Sequence, residues 1–253
     1  MNLRVGSLLD FSTIDWPGHR SFILFCSGCN FRCPFCANSS LIPIDSGTSI
    51  PLTLIQERVK ANMGFLDAIG FTGGEPSLQP EPVIELCQWA KAEGLKVFMN
   101  TNGSFPELIN RMVRHALLDY VAIDVKAPFN RQAYSRVSGV RKNIDGIIER
   151  IKKTIELCEN AHIPVEIRTT IVPTLIDDEQ SIRAISSSIQ GRIKYVLQEF
   201  FPFKDVLDVA TREIEPPSRQ LMLNLAKIAV QAGLQEVYIR MRESGMELIT
   251  AEG

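Results

Sequence analysis

The sequence predicts an α/β fold: a parallel sheet with outer helices that forms an incomplete (β/α)6 barrel. Apolar strand-like runs alternate with segments whose apolar residues recur at helical spacing, and this alternation is typical of parallel sheets with right-handed crossovers. Six principal strand–helix units can be counted in the 253 residues, fewer than the eight of a complete barrel. Polar and glycine-rich clusters follow several strands, at the edge where such sheets collect their chemistry.

The elements follow in chain order. Residues 1–20 are a short apolar lead-in, in which Pro17 and Gly18 predict a type II turn with Gly18 at positive φ. Residues 38–51 are polar and rich in turn residues, so they are predicted to be a loop. The predicted strands are residues 21–26, 66–71, 95–99, 120–125, 165–172, 195–201 and 236–241. The predicted helices are residues 53–63, 81–92, 106–115, 144–158, 178–189 and 218–232.

Composition limits the functional classes. The chain is 45% hydrophobic and 22% charged with a net charge of −2, and no block of Lys or Arg suggests a nucleic-acid surface. Neither a membrane-spanning apolar run nor the apolar core of a signal peptide is found, so we expect a cytoplasmic protein without membrane contact. No repeat, linker or low-complexity run divides the sequence, which predicts a single domain over residues 1–253.

Cysteines cluster in the predicted loop at residues 26–38. Four of the six cysteines lie between Cys26 and Cys36. Three of them, Cys29, Cys33 and Cys36, have the spacing C-x3-C-x2-C, which allows thiolates from one loop to bind one iron–sulfur cube. Three ligands leave one iron of a four-iron cluster without a protein ligand. Such an open position is expected of a catalytic metal site rather than a structural one.

Two other kinds of metal site also use cysteines, a zinc site and a four-cysteine iron–sulfur site. Zinc sites usually pair two C-x2-C knuckles or add closely spaced histidines, and the sequence has no second knuckle. A ferredoxin-like four-cysteine site would use Cys26, which ends the apolar run at residues 21–25. That position favours a small buried residue at the end of a strand.

The segment from Cys29 to Cys36 resembles the cysteine loop of the radical S-adenosylmethionine (SAM) superfamily, in which the cofactor occupies the fourth iron. The resemblance implies one [4Fe–4S] cluster and SAM as cofactors, an incomplete barrel as the fold, and anaerobic metabolism because oxygen would damage an open cluster. The sequence has no second cluster of cysteines, so an auxiliary iron–sulfur centre is not expected.

Motifs at the ends of the next two strands resemble elements that bind the methionyl amine of SAM. Gly73, Gly74 and Glu75 match the superfamily's Gly-Gly-Glu element. The glycines would let the backbone approach a ligand closely, and the carboxylate would complement an amine. Asn100 stands where the related activating enzymes have an Asp in Asp-Thr-Asn-Gly. An amide offers an acceptor without charge, so the ion-pair part of that role is in doubt. A glycine turn and an Asx turn are the alternative interpretations.

Three further elements are assigned through the same resemblance. Asp124 and Lys126 alternate onto one face of their strand, and the matching pair binds the ribose hydroxyls and the methionyl carboxylate; a surface ion pair is the alternative. Arg168, a charged residue in an apolar strand, is predicted to face the lumen in a catalytic, substrate-side role. Phe35 and Val172 resemble positions that contact the adenine.

The turn from Asp15 to Arg20, with the pattern Asp-x-Pro-Gly-x-Arg, resembles the activating enzymes of glycyl-radical proteins. Residues 195–202 and 238–240 are most like the compact group that activates anaerobic ribonucleoside-triphosphate reductase. The implied oxidoreductase receives an electron from a flavodoxin- or ferredoxin-like donor, cleaves SAM to a 5′-deoxyadenosyl radical and takes hydrogen from a glycine of its partner. One alternative is a radical SAM enzyme acting on a small deazapurine precursor. Another is an iron–sulfur electron carrier, which would not need Gly73–Glu75 or the Asp124 and Lys126 pair.

Overall fold

The structure is a computed structural model that describes residues 1–189 and 191–250. The strands are β1 (Asn2–Ser12), β2 (Ser21–Cys26), β3 (Thr48–Pro51), β4 (Ala68–Gly73), β5 (Lys96–Thr101), β6 (Tyr120–Asp124), β7 (Val165–Ile171), β8 (Ile193–Glu199), β9 (Glu236–Met241) and β10 (Gly245–Ile249). The α-helices are α1 (Leu52–Lys60), α2 (Pro80–Ala92), α3 (Pro106–Arg114), α4 (Arg131–Ser138), α5 (Ile144–Asn160), α6 (Glu179–Ser188) and α7 (Arg219–Gln231).

The chain forms two compact units, and the path of the chain passes between them several times, within the cysteine loop, β6 and α5 among other places. The first unit contains residues 1–30, 40–122 and 153–164, and the second contains residues 31–39, 123–152 and the described residues from 165 onward. The single domain predicted over residues 1–253 includes residues 190 and 251–253, which lie outside the described residues. The single-domain assignment stays a prediction.

The first unit contains a mixed sheet with the strand order β3-β1-β2-β4-β5. The pairs β2–β4 and β4–β5 are parallel, whereas β1 runs antiparallel to both β2 and β3. Continuous apolar strands suit a parallel sheet that is covered on both faces, and Phe22, Ile23 and Leu24 of β2 are fully buried. Gly70 in β4 makes room for Phe98, because a Cβ atom there would lie 2.1 Å from the ring.

The second unit contains parallel β7, β8 and β9, with β10 antiparallel at the β9 edge. Two of its helices begin at polar caps: Asn130 accepts from the Ala133 amide before α4, and Asp178 accepts from the Ser181 amide before α6. Such caps satisfy amides that have no partner within the helix. Gly139 ends α4 at φ +69°, a conformation that glycine adopts without strain.

The predicted α/β class, with parallel strands separated by helices, is confirmed. All predicted strands and helices are present, with ends that differ by at most three residues. The predicted turn before β2 is also present, since Gly18 has φ +86° and the His19 amide donates to the Trp16 carbonyl at 3.0 Å. Within the described residues, no helix is both long and apolar enough to cross a membrane.

Four elements differ from the prediction. The lead-in forms β1, the predicted loop at 38–51 ends in β3, and neither α4 nor β10 was predicted. Register shifts near Gly6 and between Leu9 and Ser12 interrupt the side-chain alternation of β1, so its period of two is hidden in the sequence. The helix α4 has eight residues and buries only Tyr134, Val137 and Ser138, which is too few to reveal a helical period.

Candidate active site

The cysteine loop, residues 26–38, leaves the C-terminal end of β2. Residues 26–30 belong to the first unit, which also contains the C-terminal ends of β4 and β5. Residues 31–38 belong to the second unit, together with Asp124 at the end of β6 and with all of β7. The predicted site residues therefore fall into two sets.

In the first unit, main-chain hydrogen bonds fix the start of the cysteine loop. The Gly28 amide donates to Leu41 at 2.7 Å, and the Cys29 amide donates to Ile42 at 3.0 Å. Gly28 has φ +93°, where a side chain would be strained. Cys29 is half-buried, whereas Cys26, the last residue of β2, is completely buried. This confirms that Cys26 is a packed residue at the end of a strand.

Gly73 and Gly74 allow the end of β4 to approach the cysteine loop. The Gly74 amide donates to Cys26 at 2.8 Å, and the next amide donates to Gly28 at 2.6 Å. A Cβ atom on Gly73 would lie 2.6 Å from the Cys26 nitrogen, and one on Gly74 would lie 2.1 Å from the Gly28 oxygen. The close contact between these two backbone segments therefore requires glycine at both positions. This requirement is separate from any need for a ligand to approach the backbone.

Glu75 is fully buried and joins the ends of β4 and β5. Its Oε1 accepts from the Ser77 amide at 3.0 Å and from Thr101 Oγ1 at 2.8 Å, while Oε2 accepts from the Asn102 amide at 2.7 Å. Burial raises the pKa of Glu75, and these hydrogen bonds act in the opposite direction. Because both oxygens have protein partners, the geometry supports an anchoring role, and the amine contact of Glu75 stays a prediction.

Asn100 has an acceptor available. Its Nδ2 donates to Thr72 Oγ1 at 3.3 Å, whereas its Oδ1 is buried without a hydrogen-bond partner among the described residues. A buried polar atom without a partner is rare in native proteins and often indicates a missing ligand. The free oxygen fits the predicted contact with an ammonium group.

Sequence reasoning missed a polar network beside this site. Asn30 donates through Nδ2 to Ser104 Oγ at 2.9 Å and accepts through Oδ1 from Asn102 Nδ2 at 2.8 Å. The Asn102 Oδ1 in turn accepts from the Ser104 amide at 3.0 Å. The network ties the cysteine loop to the segment after β5. The polar run from Asn100 to Ser104 was the available signal, but the sequence does not show that it meets Asn30.

In the second unit, α4 and a later segment hold the rest of the cysteine loop. The carbonyl of Ser138 accepts from the Arg32 amide at 2.9 Å and from the Cys33 thiol at 3.6 Å. The carbonyl of Pro34 accepts from the Asp208 amide at 2.9 Å and from Thr211 Oγ1 at 3.3 Å. None of these supporting residues was predicted from the sequence.

Lys126 provides positive charge next to the second half of the loop. Its Nζ donates to Asp124 Oδ2 at 2.8 Å and lies 5.9 Å from the centre of the Phe35 ring. Burial opposes the charged form, but Asp124 and the thiolates of Cys33 and Cys36 outweigh burial and raise the pKa of Lys126. Burial raises the pKa of Cys36, against which Lys126 acts. The positive charge therefore favours thiolates, the form that binds metal.

Arg168 belongs to a buried charge cluster on β7, β8 and β9. Glu166, completely buried, forms ion pairs with Arg168, with Lys194 at 3.0 Å and with Arg240 at 3.4 Å. The sequence indicated that Arg168 and Glu166 share a strand face, but not that the neighbouring strands add two more cations. Val172 is completely buried, and its carbonyl accepts from the Leu175 and Ile176 amides, so its side chain is part of the core.

Among the residues that the structure describes, no three Cys, His, Asp or Glu side chains are grouped closely enough to hold a metal ion. None of the six cysteines forms a disulfide. The donor chemistry nevertheless suits an iron–sulfur cluster, because Lys126 stabilises thiolates at Cys33 and Cys36.

Comparison with known proteins decides the family. The radical SAM superfamily profile matches residues 23–185, which include the cysteine loop, the Gly-Gly-Glu element and Arg168. The chain belongs to the radical SAM superfamily. It is an enzyme homologous to glycyl-radical enzyme activating enzymes, as its relatives show. Membership brings the cofactors of the family, a [4Fe–4S] cluster and SAM, and so confirms the predicted pair.

Two relatives and one solved structure illustrate the relationship. A candidate glycyl-radical enzyme activating enzyme of Methanocaldococcus jannaschii is 36% identical over 90% of this chain and 92% of its own length. The pyruvate formate-lyase-activating enzyme of Clostridium pasteurianum is 25% identical over 88% of this chain and 95% of its own length. A radical SAM methyltransferase from Sphaerobacter thermophilus shares the fold, with a TM-score of 0.68 and 16% identity over 89% of this chain and 67% of that protein.

Proposed function

We propose that this radical SAM enzyme is a glycyl-radical activating enzyme that places a radical on a backbone glycine of a partner protein. The observation that carries the proposal is the relationship to the Methanocaldococcus jannaschii protein, 36% identical over 90% of this chain. Anaerobic ribonucleoside-triphosphate reductase, or a similar enzyme, is the proposed partner. The resemblance of residues 195–202 and 238–240 to activators of that reductase supports this choice.

We assign the cluster to Cys29, Cys33 and Cys36. Their spacing supports this, as does the positive charge of Lys126 beside two of them. Cys26 is excluded because it is fully buried in β2, and burial raises its thiol pKa strongly. When bound, the cluster and SAM supply the hard chemistry, reductive cleavage of the cofactor to a 5′-deoxyadenosyl radical.

The residues at the strand ends would bind and orient SAM. The Oδ1 of Asn100, which has no hydrogen-bond partner among the described residues, suits the methionyl ammonium. Gly73 ends the adjacent parallel strand β4, and Gly74 follows it directly. The Asp124 carboxylate suits the ribose hydroxyls, and the Lys126 ammonium suits the methionyl carboxylate. Phe35 and Val172 would contact the adenine; because Val172 is buried and part of the core, we expect its contribution to come from the backbone.

Arg168 is proposed to act on the substrate side. Its side chain is only 9% exposed, and its Nε donates to Glu166. A guanidinium held in this way cannot swing freely, so it can present a fixed charge to an incoming glycine loop. The electron donor is proposed to be flavodoxin- or ferredoxin-like. The cytoplasm is proposed as the compartment, because a reducing environment preserves both free thiols and an oxygen-sensitive cluster.

Cluster assignment can be tested by anaerobic reconstitution with iron and sulfide. Substituting Ala for any one of Cys29, Cys33 or Cys36 should abolish or destabilise the four-iron signal. Cys26→Ala is the matched control and should retain iron, sulfide and SAM cleavage. Loss of the cluster in Cys26→Ala would contradict the assignment.

The partner can be tested by electron paramagnetic resonance. A purified anaerobic reductase should show a glycyl radical only when this enzyme, a reductant and SAM are all present. Arg168→Ala should reduce that radical more than it reduces uncoupled SAM cleavage. Candidate small molecules should be tested in parallel: efficient turnover of one of them, with no radical on any glycyl-radical partner, would replace the proposal with the small-molecule alternative.

A further inference from the structure

Three polar side chains form a closed ring of hydrogen bonds next to Cys29. Asn30 donates through Nδ2 to Ser104 Oγ at 2.9 Å, and Ser104 Oγ donates to Asn102 Oδ1 at 2.6 Å. Asn102 donates through Nδ2 to Asn30 Oδ1 at 2.8 Å and so closes the ring. Asn102 and Ser104 are buried, where hydrogen bonds that form a chain strengthen one another. The ring therefore holds Asn30 to the segment that follows β5.

The residue on the other side of Cys29 is held to the same segment. The Glu75 amide donates to the Gly28 carbonyl at 2.6 Å, and Glu75 Oε2 accepts from the Asn102 amide at 2.7 Å. Gly28 and Asn30 are therefore both joined to Asn102, the first through Glu75 and the second through the ring. All of these residues belong to the first unit. Cys29 is thus held on both sides by groups that directly follow β4 and β5.

Asn30 differs from its partners in being exposed. It is the last residue of the cysteine loop in the first unit, because residues 31–38 belong to the second. An exposed side chain does not fill the core, so its substitution by alanine leaves no cavity. The two hydrogen bonds of Asn30 within the ring therefore restrict the backbone that leaves Cys29 and do not serve apolar packing.

We propose that Asn30 is a positioning residue for Cys29, and that its ring of hydrogen bonds orders this cluster ligand before the cluster and SAM bind. A ligand that is already ordered loses less conformational entropy on binding. The residues that support metal ligands typically account for about 10- to 100-fold in metal affinity. The inference rests on Cys29 being a cluster ligand, as proposed above, and does not depend on the partner protein.

Hydrogen exchange of the apoprotein, followed by NMR, measures the order of Cys29 directly. The Cys29 amide donates to Ile42 at 3.0 Å, and the Cys36 amide of the second unit donates to Cys33 at 3.1 Å. Asn30→Ala should speed exchange of the Cys29 amide by about tenfold, since two hydrogen bonds to the loop are lost. Exchange of the Cys36 amide should not change, which separates a local effect from general loss of stability.

Two further variants test the ring. Ser104→Ala should also speed exchange of the Cys29 amide, because it removes the acceptor of the Asn30 side chain. The double variant should exchange no faster than Asn30→Ala alone, which already removes both hydrogen bonds from the ring to the loop. Thr154→Val is the matched control. Thr154 is fully buried and its Oγ1 donates to the Gly103 carbonyl at 2.7 Å, in the same segment but outside the ring. It should leave the Cys29 amide unchanged.

Iron release to a chelator connects the ring to the cluster. After anaerobic reconstitution, Asn30→Ala should lose iron about ten times faster than the wild type, whereas Thr154→Val should lose it at the wild-type rate. Wild-type iron release from a variant whose Cys29 amide exchanges faster would overturn the role in cluster binding.

Unchanged exchange of the Cys29 amide in Asn30→Ala, or an equal increase at the Cys36 amide, would overturn the inference. If Asn30→Ala does not fold, the same comparison in Ser104→Ala decides it. Failure of the ligand assignment has a different signature. A Cys29→Ala protein that retains a four-iron cluster would refute that assignment whatever the exchange rates are.

Discussion

Gly74→Ala should destabilise the protein by separating the end of β4 from the cysteine loop. The added Cβ atom would lie 2.1 Å from the Gly28 carbonyl oxygen, whereas ordinary contacts begin at 3.4 Å. Close-packed interiors cannot absorb such an overlap, so the two segments would have to separate by roughly 1 Å. The main-chain hydrogen bonds from Gly74 to Cys26 and from Glu75 to Gly28 lie at this contact and would lengthen with it.

The magnitude follows from these two effects. Overpacking a well-packed site costs about 1–3 kcal/mol, and each weakened buried hydrogen bond costs about 0.5–1.5 kcal/mol. We therefore expect Gly74→Ala to lower the free energy of unfolding of the apoprotein by about 2–6 kcal/mol. Because Cys29 follows Gly28 directly, the reconstituted variant should also bind less iron.

Urea denaturation measures the first effect, and iron analysis after reconstitution measures the second. Gly64→Ala is the control, since no atom lies within 4 Å of a Cβ built there and its φ is not in the strained positive range. It should remain within about 0.5 kcal/mol of the wild type. A Gly74→Ala protein as stable as Gly64→Ala would refute the steric reasoning, and normal iron content would show that the displacement does not reach Cys29.

Three further predictions concern the helix cap Asp178, the main-chain hydrogen bonds of Gln79 and the binding of SAM. Asp178 caps α6, and although burial opposes ionisation, hydrogen bonds from Ser181 lower its pKa. Its stabilisation is therefore present above the unfolded pKa and lost as pH falls through the folded value. Asp178→Ala should lower the free energy of unfolding by about 1 kcal/mol at neutral pH, whereas Asp178→Asn should keep most of the stability. In urea titrations the difference between Asp178→Ala and the wild type should disappear below about pH 4, and a difference that persists in acid would contradict the linkage. Gln79 forms three hydrogen bonds with the main chain of residues 4 and 27, so Gln79→Ala should lower the free energy of unfolding by about 2–4 kcal/mol, measured by urea denaturation. Gln220 is exposed, and the control Gln220→Ala should change little. Equal effects of the two substitutions would contradict a specific role of the three hydrogen bonds. Asp124→Ala and Lys126→Ala should each weaken SAM binding by about 10- to 100-fold in equilibrium dialysis, with cluster assembly retained; unchanged affinity in both would place these side chains outside the site.

Much of the architecture could be predicted from local pattern. Each long strand and helix has enough apolar residues to establish a period of two or 3.6, which is why strands such as β2 and helices such as α5 were found with nearly correct ends. The elements that were missed are short or irregular. In β1 the register shifts interrupt the alternation, and in α4 only three buried residues mark the inner face.

Candidate cluster ligands could also be read locally. Cys29, Cys33 and Cys36 lie within one short segment, so their spacing is a property of the sequence itself. The same is true of the glycines at 73 and 74, which follow an apolar strand directly. What the spacing could not show is why those glycines are needed, since the atoms they avoid belong to Cys26 and Gly28.

The sequence alone therefore determined the alternation of strands and helices and the cysteine spacing that identifies the superfamily. Only the tertiary structure decided how Glu75 and Asn100 are placed. Glu75 meets its donors at Thr101 and Asn102, and the Oδ1 atom of Asn100 is buried without a hydrogen-bond partner among the described residues. Local propensity and periodicity depend on neighbours a few residues apart. Hydrogen-bond satisfaction in the interior depends on groups that crossover connections bring together from distant parts of the chain.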